Sequence, residues 1–538
     1  MKGLEERGLL IRVPRPINKD TELHPLVRWQ FRGLDEEQRK AFLFENVVDA
    51  KGKQYDIPVL VGGFAGSRLI YAVGLQCDPS PESISDLWDR ALSTPIPPRM
   101  VETGPVKEVI HKDGTLLEHG GLSEFPIPIS TPGFDNAPYT TASCWVTKDV
   151  ETGIRNMGIY RAQIKGPIKT GINWAWRNNG SIHWHKCNER GIPLQAALVL
   201  GGPPCITYAA AQRPPYGVDE LAVASAIAGA PLPLVKCETI DIEVPAEAEI
   251  VIEGTIPTDI LEPEGPFGEA HGYVDPGDLM PIFNVSCITH RRNALYPAII
   301  SQLTPSESAN TKTQAFEAYY LKVLRESNDL KGVKRIVMYD ELCNRQYVVI
   351  QMAKKDAFEP WFAMHGLLGI KQAQGIKIVV TVDDDIDPTD PMAVNWAIVN
   401  RSQPHRDVKI MDNRPLPFSP LRYMADGKNY DKKDSTLLID ATSKAKMPPV
   451  ALPAKEYMEN ARRIWEELKL PPLKPKSIWH GYSLGYWPKE DQEMSEMAVK
   501  GDHFAVGERY AKKAVRVPRG TSLDEMTERF HEQLLSEM

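Results

Sequence analysis

The stretch LEPEGPFGEAHGY, residues 261–273, places two carboxylates, Glu264 and Glu269, on either side of Gly-Pro-Phe-Gly, with Glu262 just upstream. Pro266 fixes its own φ and has no N–H, whereas glycine adopts backbone shapes that other residues resist. The pattern therefore predicts a shaped loop that is neither a helix nor a regular strand, and shaped loops often carry chemistry. The paired acids could serve in proton transfer, or they could form an acidic surface turn.

A second candidate is the run RNMGIYRAQIKG at 155–166. Side chains on a regular strand alternate between faces, so Asn156 and Arg161 would need a bulge between them to reach one site. The guanidinium of Arg161 is always charged, and its fork fits a carboxylate or a phosphate. A surface salt bridge is the alternative role for this arginine.

Four further runs have both functional and structural interpretations. His183 and His185 are two apart, which on a strand would direct two zinc ligands to one face, although no Cys or acidic partner follows at zinc-like spacing. Glu220 stands near a predicted helix N-terminus, where an acid complements the helix dipole or helps to dock a metal–phosphate group. GGFAGS at 62–67 could be a tight turn or a phosphate loop, and the tight turn is the preferred interpretation. DDDID at 383–387 could be a helix cap or a Mg²⁺ site, and the cap is preferred.

The elements that must position these residues fall into four stretches of a mixed α/β protein. Residues 1–105 combine short helices with strands such as IPVLVGGF, and 106–310 are dominated by short β-type runs, as in a barrel or sandwich. From 311 to 425 helices alternate with strands, which indicates an open α/β layer. Residues 426–538 are first Lys- and Pro-rich and then amphipathic, as in an extension that packs on a partner subunit or in an ordinary terminal subdomain.

Composition and charge exclude several classes of protein. The chain has 538 residues, 42% hydrophobic and 25% charged, with a net charge of −8 and no Lys/Arg tract. Neither nucleic acid nor an anionic membrane surface is therefore expected as the main partner. Seven dispersed cysteines without a C-x-x-C pair predict reduced thiols. Because the N-terminus lacks the apolar run of a signal peptide and no apolar stretch reaches the ~18–20 residues of a membrane span, we expect a soluble, cytoplasmic protein.

Taken in order, NMGIYR, GGPPC, GVDE, VPAEAEIVIEG, EGPFGEAHGY and VTVDDDID resemble the UbiD family of reversible aromatic and acrylic acid decarboxylases. The resemblance covers most of the chain and weakens after about residue 425. It implies an N-terminal α/β domain (1–105), a central split β-barrel that holds flavin (106–310), and a C-terminal α/β domain used in oligomerisation (311–425), before the extension. The length and tail resemble the longer members that act on aromatic acids and aromatic acyl-CoA esters such as phthaloyl-CoA.

The same resemblance implies a cofactor and its contacts. The cofactor is prenylated FMN, bound by its phosphate through a divalent metal, with Mn²⁺ expected and K⁺ close by. Asn156 and Glu220 match metal ligands, and Arg161, Glu264 and Glu269 match a catalytic Arg-Glu-Glu trio. The residues that match cofactor-contacting positions, or that occupy the place of a missing ligand, are Asn156, Ile159, Tyr160, Arg161, Asn173, Trp174, Ala175, Arg177 and Asn178.

The chain departs from the family pattern at one metal ligand. The family supplies a histidine a little over 20 residues after the asparagine, where this chain has AWRNNG with Arg177 and Asn178. His183 is the nearest histidine, and it falls later in the sequence. Either a water or an asparagine takes that ligand's place, or Arg177 holds part of the phosphate. The departure concerns the metal and leaves the trio untouched.

The trio also has a physical rationale of its own. Loss of CO2 from an sp² carbon leaves a carbanion that no side chain can delocalise, so the electron sink must be a cofactor. The resemblance implies a covalent adduct between substrate and prenylated flavin that takes up these electrons. The protein must then protonate the same carbon, and two carboxylates under an arginine drive one pKa up and the other down. We expect Glu269 to deliver the proton, with Glu264 and Arg161 tuning it.

The expected activity is the reversible, non-oxidative decarboxylation of an aromatic or α,β-unsaturated acid or of its CoA ester. One alternative is a carboxylate-pair hydrolase such as a glycosidase, which needs two acids and no flavin. Another is a non-catalytic subunit of a carboxylase complex. The resemblance further implies a homo-oligomer, either a dimer or a hexamer, and a flavin prenyltransferase that supplies the cofactor.

Overall fold

The computed structural model describes residues 1–174, 178–212, 214, 216–342, 346–415, 433–445, 447–474 and 485–528. The chain divides into two compact units, Met1–Thr442 and Ser443–Met538, which are described separately. Helices and strands are both abundant, and the predicted mixed α/β class is confirmed. None of the described helices is long and apolar enough to cross a membrane.

Three groups of elements make up the first unit. The first group is α1 (Lys2–Glu6), β1 (Leu10–Val13), β2 (Ile17–Asn18), α2 (Leu23–Gly33), β3 (Ala41–Phe44), β4 (Val47–Val48), β5 (Gln54–Tyr55), β6 (Val59–Val61), α3 (Arg68–Leu75), α4 (Pro81–Ser93) and β7 (Arg99–Met100). The second group is β8 (Val109–Lys112), β9 (Tyr139–Thr140), β10 (Ser143–Lys148), β11 (Arg155–Ile159), β12 (Ala162–Gly166), β13 (Lys169–Gly171), α5 (Asn179–Glu189), β14 (Leu194–Leu200), α6 (Pro204–Ala211), α7 (Glu220–Ala228), β15 (Pro233–Lys236), β16 (Glu243–Pro245), β17 (Ile250–Ile256), β18 (Leu261–Glu264), β19 (Phe267–Gly268), β20 (Val274–Asp275), β21 (Asp278–His290) and β22 (Tyr296–Ala298). The third group is α8 (Glu307–Lys322), β23 (Val333–Met338), β24 (Tyr347–Met352), α9 (Glu359–Gly369), β25 (Ile378–Asp383), α10 (Pro391–Arg401), α11 (Pro404–Asp407), β26 (Val408–Pro415) and β27 (Lys433–Ala441).

The N-terminal sheet has the order β1-β3-β6-β22, so its last strand comes from much later in the chain. After β6, the predicted tight turn GGFAGS begins with Gly62 at φ +79°. The backbone N–H groups of Gly62, Phe64 and Ala65 donate to the buried carboxylate of Glu307 at 3.0, 2.8 and 3.2 Å. The loop therefore does bind an anion, but the anion is a side chain of this same chain, from the start of α8.

The central sheet has ten strands and forms the half-barrel. Its main path is β11-β10-β14-β17-β21-β13-β12-β9, and β18 and β8 also pair with β21. Every pair in it is antiparallel. Trp145 and Phe283 meet edge to face in its core, with ring centroids 4.9 Å apart. Aromatic pairs of this kind add to the free energy gained by burying apolar area.

The third sheet has the order β23-β24-β25-β27-β26, with β25 parallel to both of its neighbours. It is the predicted open α/β layer, and it includes β27, which lies beyond residue 425. The DDDID run does not cap α10, contrary to expectation, because Asp383 and Asp385 pair with Arg401 at 2.8 and 2.6 Å. The cap is Asp390, whose carboxylate accepts from the backbone N–H of Met392 at 2.9 Å.

Three helices of the second unit lie wholly within the described residues. They are α12 (Lys455–Glu467), α13 (Lys489–Val499) and α14 (His503–Ala511). Apolar side chains on them are largely exposed, including Ile464, Val499 and Phe504 at 47%, 61% and 82%. Met494 is the one buried residue recorded on these three helices.

Candidate active site

Arg161 lies at a break between two strands of the central sheet. Strand β11 ends at Ile159 and β12 begins at Ala162, so the chain changes its pairing partner instead of forming the bulge that the sequence required. The carbonyl of Tyr160 accepts from Ser143 Oγ at 2.7 Å and from Trp145 Nε1 at 2.9 Å, which fixes the break. The side chain of Arg161 is only 8% exposed, so the surface salt-bridge interpretation is wrong.

The predicted trio forms one hydrogen-bonded cluster. Arg161 donates from Nε and Nη2 to the two oxygens of Glu264 at 2.9 and 2.7 Å, and from Nη1 to Glu269. Asn173 Nδ2 donates to the same Glu264 carboxylate at 2.8 Å. The Glu264 side chain is fully buried, whereas that of Glu269 is 20% exposed. Glu264 therefore holds the arginine in place, and Glu269 is the acid that can face a ligand.

Short strands and two glycines shape the segment that carries both acids. Contrary to the expectation of a loop without regular structure, β18 ends at Glu264, and β19 pairs with β20 around Glu269. Gly265 and Gly277 have φ of +107° and +102°. A Cβ on Gly277 would lie 2.1 Å from the carbonyl oxygen of Glu264. Only glycine fits this approach.

Aromatic rings line the arginine. The guanidinium carbon of Arg161 lies 4.7 Å from the ring centroid of Phe267, and the Phe267 ring lies 4.5 Å from that of Tyr139. Tyr139 is fully buried and donates from its hydroxyl to the carbonyl of Pro266 at 3.3 Å. The cluster thus consists of a planar cation, two carboxyl groups and two packed aromatic rings.

Burial and neighbouring charges set the protonation of the trio. Burial raises the pKa of the Glu269 carboxyl, the charges of Arg161 and Lys312 oppose that rise, and Asp275 adds to it. Burial disfavours the charge on Arg161, but the hydrogen bond and charge of Glu264 and the charge of Glu269 outweigh it, so the pKa of the guanidinium is raised. Glu269 is therefore easier to protonate than an exposed glutamate, while Arg161 stays charged.

The two predicted metal ligands lie at neighbouring buried positions. Glu220 is the first residue of α7, and its carboxylate accepts from the backbone N–H of Met157, the residue after Asn156, at 2.8 Å. Burial raises the pKa of Glu220 to about 8. Asn156 is 5% exposed, and its Nδ2 has no hydrogen-bond partner among the described residues. A divalent cation would favour the ionised form of Glu220 and would match these oxygen donors.

The two histidines of IHWHKC lie on helix α5, so the prediction of a strand with one shared face is wrong. His183 is buried and His185 is exposed. His183 Nδ1 lies 2.9 Å from Thr147 Oγ1, and Thr147 is directly opposite Asn156 in the pairing of β10 with β11. The histidine that falls late in the sequence thus packs one strand away from the predicted metal ligand.

The predicted cofactor-contacting segments lie side by side. The N–H of Asn173 donates to the carbonyl of Arg161 at 3.0 Å, and the rings of Tyr160 and Trp174 are perpendicular, 5.8 Å apart. Trp174 Nε1 is buried without a hydrogen-bond partner in the described part of the chain. Buried polar atoms are seldom left unpaired, so Trp174 Nε1 and Asn156 Nδ2 fit a bound polar group.

The remaining predicted contacts are Ile159, which ends β11, and Asn178, which precedes α5. Ala175 and Arg177 lie outside the described residues. Sequence reasoning missed two charges that act on Glu269. Asp275 is in β20, eleven residues after the end of β18, and Lys312 is on α8. No local pattern separates either of them from ordinary surface charges.

Comparison with known proteins decides the family. The family model for the 3-octaprenyl-4-hydroxybenzoate carboxy-lyase Rift-related domain matches residues 99–303, and the model for the C-terminal domain of the same carboxy-lyase matches 313–441. The chain belongs to the UbiD family. The ten-stranded half-barrel with its Arg-Glu-Glu cluster lies within the first match, and the third sheet within the second.

Relatives of this UbiD-family chain include proteins of known structure. An uncharacterised protein of Archaeoglobus fulgidus is 30% identical over 87% of this chain and 97% of its own. The UbiD-class enzyme HmfF from Pelotomaculum thermopropionicum, solved with FMN, is 32% identical, with a TM-score of 0.74 over 85% of this chain and 98% of HmfF. An evolved dimeric form of HmfF was solved with prFMN (32% identity, 84% and 95% coverage, TM-score 0.71). Vanillic acid decarboxylase from Sedimentibacter hydroxybenzoicus is 25% identical, with a TM-score of 0.73 over 87% and 98% of the two chains.

Proposed function

We propose that this chain catalyses the reversible, non-oxidative decarboxylation of an aromatic or α,β-unsaturated carboxylic acid, with prenylated FMN as its cofactor. The observation that carries the proposal is the cluster in which Arg161 binds both Glu264 and Glu269. Membership of the UbiD family and the flavin-bound structures of HmfF support it.

The buried polar groups fit such a cofactor. Asn156 and Glu220 would hold a divalent ion, with Mn²⁺ our proposal and K⁺ beside it, and the ion would bind the flavin phosphate. The segments at Tyr160 and Trp174 would line the ring. When bound, prenylated FMN supplies the electron sink that loss of CO2 from an sp² carbon requires. A flavin prenyltransferase would provide it.

The chain's own acids manage the proton. Glu264 is fully buried and paired twice with Arg161, so it orients the guanidinium and keeps it in place. Glu269 is partly exposed and its pKa is raised, so its protonated form is available to donate to the carbon that has lost CO2. In the carboxylation direction the same carboxylate would accept that proton.

The substrate we propose is planar and carries its carboxylate next to an aromatic or unsaturated carbon. Phe267 and Tyr139 are buried beside Arg161, so they support the guanidinium from within the protein and leave its other side for the substrate. One relative is a vanillic acid decarboxylase, which favours a free aromatic acid. A CoA ester of the phthaloyl-CoA type is the other form to be screened.

The hydrolase alternative is disfavoured by the surroundings of Glu264. A glycosidase needs two carboxyl groups that both face the substrate across a gap of roughly 5–9.5 Å. Here Glu264 is fully buried and hydrogen-bonded to Arg161 and Asn173, so only Glu269 remains for a substrate. A non-catalytic subunit would have no need for this buried cluster.

The test is Glu269→Gln in chain co-expressed with a flavin prenyltransferase. We expect the variant to bind prenylated FMN, detected by absorbance and native mass spectrometry, and to lose about 10²–10⁴-fold in CO2 release and in H/D exchange at the substrate carbon, the range for a removed general acid. The screen contains free aromatic acids and their CoA esters.

The matched control is Glu262→Gln, two residues before Glu264. Glu262 pairs with Lys165 and Lys169 outside the cluster, so its loss should leave the rate unchanged. A Glu269→Gln variant as active as the parent would overturn the proposal. So would an equal loss of activity in both variants, or a co-expressed parent chain that binds no flavin.

A further inference from the structure

Two histidines and a glutamate converge on the central sheet, outside the Arg-Glu-Glu cluster. His111 is on β8 and His290 is the last residue of β21. The two strands are antiparallel, with His111 opposite Ile288, so His111 and His290 are diagonal neighbours on one face. Glu124, at the end of a short 3₁₀ turn, brings its carboxylate to both imidazoles.

The distances within this group are those of metal ligands. His111 Nε2 lies 3.6 Å from Glu124 Oε2, and His290 Nε2 lies 3.4 Å from Glu124 Oε1. One ligand atom from each of the three residues can be chosen so that all lie within 4.8 Å of one another. A hydrogen bond would bring nitrogen and oxygen to about 2.7–3.2 Å. Two ligands on a tetrahedral ion with bonds near 2.0–2.1 Å are instead about 3.4 Å apart.

The facing atoms are buried and lack hydrogen bonds. The two imidazoles are 7% and 6% exposed. His111 Nε2, His290 Nε2 and Glu124 Oε2 have no hydrogen-bond partner among the described residues. Leaving three such atoms unpaired costs free energy that a bound ion would recover.

The hydrogen bond of His290 also fits a metal ligand. His290 Nδ1 lies 2.7 Å from the carbonyl oxygen of Arg291, so Nδ1–H donates there, and in the neutral imidazole Nε2 would present its lone pair to the group. Metal-ligating histidines commonly have such a carbonyl partner. A water would fill the fourth position of a tetrahedral ion held by these three residues.

We propose that His111, Glu124 and His290 form a binding site for Zn²⁺ or a similar first-row divalent ion. Two imidazoles and one carboxylate are donors that zinc accepts readily, whereas Asn156 and Glu220 offer oxygen only. His290 is at one end of β21, and Asp278, which pairs with Glu264, is at the other end. Twelve residues of extended strand correspond to about 40 Å. The proposed metal site is therefore remote from the Arg-Glu-Glu cluster, and its role is structural. An ion there would tie the turn at Glu124 to β8 and β21 of the half-barrel.

The experiment uses the full-length chain, free of any affinity tag and stripped of metal with a chelator. Zn²⁺ is titrated in competition with a chromophoric chelator, and bound metal is counted by elemental analysis. We expect one tight equivalent in the parent chain. We expect His111→Gln/His290→Gln to bind it at least about 100-fold more weakly, because loss of even a second-shell partner costs 10–100-fold.

Two control variants should still bind one tight equivalent of Zn²⁺. His365→Gln removes an exposed histidine elsewhere in the first unit, and Glu220→Gln alters the other proposed metal site. Zn²⁺ should also raise the thermal unfolding midpoint of the parent chain but not that of the double variant, since the ion binds only the folded site. If the double variant does not fold, Glu124→Gln loaded with Co²⁺ decides the question, because loss of a ligand changes the visible spectrum of the ion.

Two results would overturn the proposal. A parent chain without a tight zinc equivalent would show that the three residues form only a histidine–glutamate ion pair. If the double variant still bound one equivalent of Zn²⁺ with unchanged affinity, the ion would have to bind elsewhere in the chain.

Discussion

At the scale of single residues, the guanidinium of Arg161 binds two carboxyl groups, those of Glu264 and Glu269, whose surroundings differ. Glu264 is fully buried and accepts hydrogen bonds from Arg161 and from Asn173. Glu269 is partly exposed and shares Arg161 with it, while burial raises its pKa. Different environments thus give two identical side chains the separate roles of orienting the arginine and moving a proton.

The pH dependence of the rate should follow the charges around Glu269. Because the donor must be protonated, activity should fall on the alkaline side as Glu269 ionises. Asp275 raises the pKa of Glu269, so Asp275→Asn should move this limb to lower pH. Lys312 lowers the pKa, so Lys312→Met should move it to higher pH. The measurement is kcat/KM against pH for the parent chain and for both variants.

The two substitutions preserve local structure as far as the chain allows. The Asp275 carboxylate accepts from the backbone N–H of Gly277 at 3.1 Å, and an asparagine oxygen can accept the same bond. Lys331→Met, at a lysine whose side chain is 83% exposed, is the control for charge loss and should leave the limb in place. Shifts of both active-site variants in the same direction would contradict Glu269 as the titrating acid.

At the scale of elements, the acids depend on how β18 and the β19–β20 hairpin approach each other. The N–H of Glu269 donates to the carbonyl of Tyr273 at 3.0 Å, which closes the hairpin. At the other end, Gly277 comes within van der Waals contact of the carbonyl of Glu264. Backbone geometry therefore fixes the separation of the two carboxylates.

Gly277→Ala should disrupt this geometry. The new Cβ would meet the carbonyl oxygen of Glu264 at 2.1 Å, and the residue has φ +102°, which costs about 1–3 kcal/mol in a non-glycine residue. We expect kcat/KM to fall by about 100-fold, since displacements near 1 Å have effects of this size, and denaturant unfolding to show the loss of stability.

Gly153→Ala is the control for backbone strain alone. Gly153 has φ +70°, but a Cβ there would meet nothing within 4 Å. It should lose some stability and retain its activity. If Gly277→Ala retained full activity as well, the close approach would not be what positions Glu264.

At the scale of the whole molecule, all described residues of the candidate site come from the first unit. The half-barrel supplies Arg161, Glu264 and Asn156, the β19–β20 hairpin supplies Glu269, and α7 supplies Glu220. The second unit contributes three helices whose apolar side chains are mostly exposed. Exposed apolar side chains on amphipathic helices are typical of a surface that another chain covers.

Truncation after Thr442 tests what the second unit does. We expect the shortened chain to fold and to retain bound cofactor, because the six sheets and the described residues of the site lie in the first unit. If residues 443–538 join subunits, the oligomer mass measured by light scattering should be lower for the shortened chain than for the full chain. An unchanged mass would show that residues 443–538 are an ordinary terminal subdomain, and loss of the cofactor would show that the site needs them.

The sequence by itself determined the family and the residues of the trio, because these depend on local patterns. EGPFGEAHGY carries its glycines where the backbone needs them, and the helix containing Glu220 is marked by its own start and end signals. The regular alternation of elements after residue 311 likewise predicted the third sheet.

Only the tertiary structure decided which charges meet. Arg161 and Glu264 are 103 residues apart in the chain, and no local pattern shows that their side chains meet. His111 and His290 become neighbours through the pairing of β8 with β21, and Lys312 acts on Glu269 from a different element. Local sequence sets backbone shape, but burial and charge contacts depend on distant segments. The direction of the pKa shift of Glu269 could therefore not be predicted from the sequence alone.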